Sequence, residues 1–152
     1  MGGSVIVRTL LKQYLESDGF GRKIMSIKRD AADAWFSKCV RARDGHCMVC
    51  GKREGLDCCH IYGRRNKAVR WSLDNAITMC RYHHREMGES PATFMMFLDD
   101  LYGPGHLEIL REKANAIMKT NRELRLEIAK FYREQYRAWE ADPENHRWIS
   151  YN

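Results

Sequence analysis

No apolar run among the 152 residues approaches the roughly 20 needed to cross a bilayer, and no secretory leader is legible at the N-terminus. The first absence argues against a membrane-embedded carrier or channel. The second argues against a secreted disulfide scaffold, although six cysteines make an even set. An intracellular protein is therefore expected. Length is short too: with 44% hydrophobic residues the chain can bury a core, but a second full domain is not expected. Met1-Gly-Gly-Ser4 carries no legible function. The net charge of +6 lies mostly in residues 1–104, while residues 105–142 are nearly balanced. That is a weak pointer to a polyanionic partner on the first part of the chain.

What is present is metal chemistry. Cys47-x-x-Cys50 is followed by Cys80-x-x-His83. Two pairs of soft ligands at i,i+3 spacing suit one tetrahedral Zn2+, each pair biting the ion from a tight turn or a first helical turn. His60 and Asn75 fall inside the loop this clamp would close, and His84 follows the last ligand, pointing away from the face that carries His83. The order His60, Asn75, His84 around such a clamp is the layout of an HNH nuclease.

A coarse pass along the chain sets these residues on elements. Val5 to Leu15 is apolar without a decisive period and ends at Gly19-Phe20-Gly21. Asp30, with Asp33 three positions on, predicts a helix start, and Gly45 its stop. Ala31, Trp35, Cys39 and Ala42 recur there at helical spacing, with Lys38, Arg41 and Arg43 outward and Cys39 read as core rather than ligand. Leu56–Tyr62 and Val69–Met79 read as strands around Gly63–Lys67, and Arg81–Met87 as a helix. Such a ββα unit is too small for its own core, so metal binding must supply folding free energy. Ser90-Pro91 opens another helix, with Phe94, Phe97, Leu98 and Leu101 as its covering face and Met95 and Met96 as core filler. After Gly103-Pro104-Gly105 an unbroken alternation of three- and four-residue steps predicts one long helix over Leu107–Trp139, with Asn121 as a buried polar position. That helix either forms a homodimer or packs back on its own domain. The fold class expected is α+β: a zinc-stabilised ββα-metal (HNH) module in a mainly helical domain with a long C-terminal helix. The segments are 1–30, 31–103 carrying the nuclease module, and 104–152.

Phosphodiester hydrolysis needs a base for water, a cation on the departing oxygen and positive groups around the phosphate. His60 at a strand end suits the base, Asn75 its orientation across the hairpin, and His84 a catalytic Mg2+ or Mn2+. Arg64, Arg65, Lys67 and Arg70, between base and asparagine, are the expected phosphate-binding residues.

The segments Trp35-Phe36, Arg41-x-Arg43-Asp44, Cys47-x-x-Cys50-Gly51, Asp57-x-x-His60-Ile61-Tyr62 and Arg70-Trp71-x-x-x-Asn75-x-x-x-x-Cys80, with the later Tyr102-Gly103, together resemble the phage lambda NinG (Rap) recombination proteins. That family is a branch of the HNH endonucleases, and the likeness spans about residues 31–139. It implies metal-dependent nicking of branched DNA such as D-loops and Holliday junctions, by a phage protein in its bacterial host. Two positions depart from the usual pattern. Many HNH nucleases have an acidic metal ligand directly before the base, where this chain has Cys59, a softer donor than Mg2+ prefers. Asp57, on the same side of an extended strand, is the substitute ligand. His83 stands where a second cysteine is usual. The rival reading is a non-catalytic zinc-stabilised DNA-binding module, which would not need His60 and His84 together. A redox role for Cys58-Cys59 is thin, because adjacent cysteines seldom form a good disulfide.

Overall fold

The computed structural model describes residues 28–151. The apolar segment Val5–Leu15 and most of the 1–30 segment lie outside them.

Helix α1 (Ala31–Asp44) starts at a reciprocal capping box, with Asp30 and Asp33 each accepting from the other's backbone N–H. It stops at Gly45, whose φ of 68° is a left-handed conformation that glycine adopts without penalty. Its buried apolar face is Ala32, Phe36, Cys39 and Val40; of the expected stripe Ala31, Trp35, Cys39 and Ala42, Cys39 is core as expected, whereas Ala31 is exposed and Trp35 and Ala42 are half-buried. The buried arc is displaced from the apolar stripe because it takes in the polar Asp33 and Ser37, which residue type alone assigns to the surface.

Strands β1 (Leu56–His60) and β2 (Ala76–Cys80) form an antiparallel hairpin in which Leu56 faces Cys80 and His60 faces Ala76. All five residues of β2 are buried, because each face of the hairpin carries a core. On one side Ala76 and Leu73 join Phe36, Trp71, Ile128 and Tyr132. On the other, Ile77 and Met79 join Cys59, Met87, Phe94 and Leu98. The second strand is shorter than expected: Val69–Ser72 turns, and Leu73–Asn75 forms a single 3-10 turn before β2.

Helices α2 (Arg81–Glu89) and α3 (Pro91–Tyr102) cover the second core, with Pro91 at the first turn of α3. Phe94 and Leu98 are its buried residues, but Met95 and Met96 are exposed, Met96 by 69%, so they are not core filler.

The expected continuous helix is two. Helix α4 (His106–Ala114) ends, and α5 (Arg122–Ala141) begins afresh at Asn121. Asn121 is not a buried register residue. Its side chain accepts the Leu124 N–H at 2.8 Å as an N-cap, and Ile117, on the expected seam, is 96% exposed. Ile128 and Tyr132 are buried in the first core against α1, with Leu124 and Phe131 packed beside them, so this part of α5 is covered within the chain. The C-terminal residues return to the hairpin: Leu73 N–H donates to Ser150 Oγ at 2.9 Å, and the Tyr151 N–H to the Tyr132 hydroxyl at 3.1 Å. No helix among the described residues is long and apolar enough to cross a membrane.

Candidate functional site

The clamp assembles from three elements. Cys47 and Cys50 sit on the turn after α1, stabilised by Gly51 N–H donating to the Cys47 carbonyl at 2.8 Å. Cys80 ends β2, and His83 lies in the first turn of α2. Their ligand atoms all fall within 4.8 Å of one another. Cys80 Sγ lies 3.2 Å and Cys47 Sγ 3.7 Å from His83 Nδ1, and Cys50 Sγ is 4.0 Å from Cys80 Sγ. A tetrahedron with Zn–S of about 2.3 Å and Zn–N of about 2.0–2.1 Å puts its corners at comparable separations. Burial pushes the Cys47 thiol up, but backbone N–H groups of Cys80, Cys50 and Val49 outweigh it and hold it down at about 6. Three thiols and one imidazole in this arrangement are compatible with a structural zinc site.

A separate open cleft of about 530 Å³ lies between α1, β1 and α2. His60, Asp57, His84 and Arg64 line it. His84 Nδ1 and Asp57 Oδ2 are 3.3 Å apart. The His60 ring packs against Phe36 at a centroid distance of 5.5 Å, and its Nε2 lies 3.0 Å from the Arg70 carbonyl oxygen. A carbonyl can only accept, so Nε2 carries the hydrogen and the neutral ring keeps its lone pair on Nδ1. Burial holds the imidazole below its ordinary pKa, against the pull of the Arg70 carbonyl and Asp33, so the neutral ring dominates near pH 7.

Several expected roles change. Asn75 does not reach the imidazole. Its Oδ1 accepts the Tyr62 N–H at 2.8 Å, and its Nδ2 donates to the Tyr62 and Val69 carbonyls at 2.9 and 3.0 Å. It therefore ties the two ends of the inter-strand loop together and sets where the Arg70 carbonyl meets His60. Cys59 turns away from the cleft into the second core with Ile77, Met79 and Met87, and burial pushes its thiol up to about 12. Cys59 therefore does not line the cleft; of the two expected donors, only Asp57 does. Arg70 is not a surface phosphate contact but is buried, donating to Asp33 through Nε at 2.9 Å and a terminal nitrogen at 2.5 Å. Lys67 borders a different cavity of about 320 Å³ beside Trp71, Lys113 and Tyr151. Arg65 is exposed on the loop.

Other residues were not legible as site residues. Asp33 also accepts from Trp71 Nε1 at 3.1 Å, so one carboxylate fixes both residues flanking the carbonyl that holds His60. Arg43, expected to face outward, donates to the Leu73 and Ala76 carbonyls, both at 2.8 Å, and fastens α1 to the entry of β2. Nothing in residue type or period marks these roles, since each partner is 30 or more positions away. Comparison with family models, with curated proteins and with solved structures finds no match.

Proposed function

We propose that this protein is a metal-dependent endonuclease of the HNH type, hydrolysing DNA phosphodiester bonds. The observation that carries the reading is a division of donors. Among the described residues, none of the four clamp residues lines the cleft, where His60 sits with the Asp57–His84 pair. A module needing zinc only for its fold has no use for this second constellation, and that disfavours the non-catalytic DNA-binding alternative.

In this mechanism His60 Nδ1 takes a proton from the attacking water, while Nε2–H stays on the Arg70 carbonyl and holds the ring at a fixed angle. Asp57 and His84, 3.3 Å apart, would hold Mg2+ or Mn2+ through one oxygen and one nitrogen donor, and the ion would supply charge stabilisation for the departing oxygen. Arg64 adds positive charge beside the phosphate. The resemblance to the NinG (Rap) family extends the reading to branched recombination intermediates. A cleavage panel of duplex, flap, D-loop and four-way junction DNA with Mg2+ or Mn2+ tests it. Preferential incision of branched substrates is expected; binding without incision of any of them would return the protein to the non-catalytic module.

A further inference from the structure

Two arginines that the mechanism leaves idle meet on one neutral atom. Arg29 donates to Ser37 Oγ at 3.0 Å and Arg41 donates to the same oxygen at 2.5 Å. Ser37 is 2% exposed, so the junction sits at the floor of the cleft, and Arg29, Ser37 and Arg41 all line it. A serine hydroxyl has two acceptor positions, and the two guanidinium groups occupy both. Among the described residues, neither arginine has a carboxylate within ion-pair distance.

The cleft's charge balance points the same way. Its ionised residues are Arg29, Arg41 and Arg64 against Asp33 and Asp57. Asp33 is already neutralised by buried Arg70, which leaves Arg64 a longer contact of 3.8 Å, and Asp57 faces His84. Bringing two uncompensated guanidiniums onto one hydroxyl raises their mutual repulsion, and an anion bridging them removes it. Guanidinium forks match phosphate oxygens in pairs.

We infer that Arg29 and Arg41, tethered by Ser37, form a phosphate subsite for the nucleic-acid backbone next to the bond that is cut. The inference rests on the nuclease reading for the identity of the strand and deepens it. It moves the main phosphate grip from the inter-strand loop, where Arg70 is consumed internally, to the α1 side of the cleft.

The test is DNA affinity of the zinc-loaded full chain as a function of salt, with no Mg2+ or Mn2+ added. Each backbone phosphate neutralised contributes about 0.9 to the slope of log affinity against log salt on duplex DNA. Arg29→Gln and Arg41→Gln should each lower that slope by about 1, and the double variant by about 2. Lys130→Gln, an exposed charge on α5, should leave it at the parent value. Arg41→Lys should keep the slope, which separates lost charge from a damaged fold. With Mn2+ added, the glutamine variants should raise KM more than they lower kcat. Reduced slopes without incision by the parent would leave the subsite standing and remove the nuclease. Incision by the parent with parental slopes in both glutamine variants would overturn the subsite and leave the nuclease. A parent that binds no DNA overturns the subsite as well.

Discussion

At the residue scale, burial decides what His60 can do. Its imidazole is held below the ordinary value of 6.5, chiefly by desolvation, so the base form survives to lower pH than a free histidine would allow. Cleavage should rise with pH to a plateau, with its lower midpoint below 6.5. A midpoint above 6.5 in the rate profile would contradict the buried-base assignment. The same shift has a stability consequence. A depressed folded pKa gives stability that is present above the unfolded value and lost as pH falls through the folded one. Asp33 behaves likewise lower down: burial raises its pKa, but the Arg70 hydrogen bond and the other favourable contacts outweigh it and leave the carboxyl below 3.8. Acid should therefore weaken the protein in two stages. Asp33→Asn leaves buried Arg70 only the longer 4.0 Å contact to Asp30 and should cost about 3–5 kcal/mol in denaturant unfolding, far more than a surface pair. A loss under about 1 kcal/mol would show that this network does not hold the cleft.

At the element scale, the helix break separates two accounts of the C-terminal region. Asn121 caps α5, so Asn121→Ala should destabilise the protein by about 0.5–2 kcal/mol in thermal or denaturant unfolding. Were Asn121 a buried polar residue in one continuous helix, alanine would stabilise instead. The sequence pattern could not distinguish these, because α4 and α5 resume the same three-four phase across the gap by chance of spacing. Other elements were legible, because their signals are local. The capping box at Asp30 and Asp33, the stop at Gly45, the Ser90-Pro91 start and the Cys-x-x-Cys and Cys-x-x-His pairs each lie within a few residues. The length of β2 was not, since Asn75 curls Val69–Ser72 into a turn through bonds to Tyr62 and Val69 that no period reveals. The candidate cleft divides the same way: His60, His84, Asp57 and Arg64 stand in it as their types suggested, whereas Asp33, Ser37, Arg29 and Arg41 needed the packing of α1 over the hairpin.

At the scale of the whole molecule, one hairpin separates two cores with different supports. The α1–α5 core is built from large apolar side chains including Phe36, Ile128 and Tyr132. The other carries Cys47 and Cys80 of the clamp among Ile77, Met79 and Leu98. Metal binding should therefore stabilise the second unequally. Chelation, or Cys80→Ser, should release about one zinc per chain and raise amide exchange in 45–60 and 76–102 well before α1 and α5. Uniform exchange across both halves would show a single cooperative core instead. In the proposed mechanism catalysis belongs to the cleft and zinc to the fold. Nicking of supercoiled plasmid by the parent and by His60→Ala, side by side with Mn2+ at equal zinc content, tests it most directly. His60→Ala should lose roughly 10²–10⁴-fold in nicking rate with DNA affinity retained. Nicking by His60→Ala at the parent rate would contradict it.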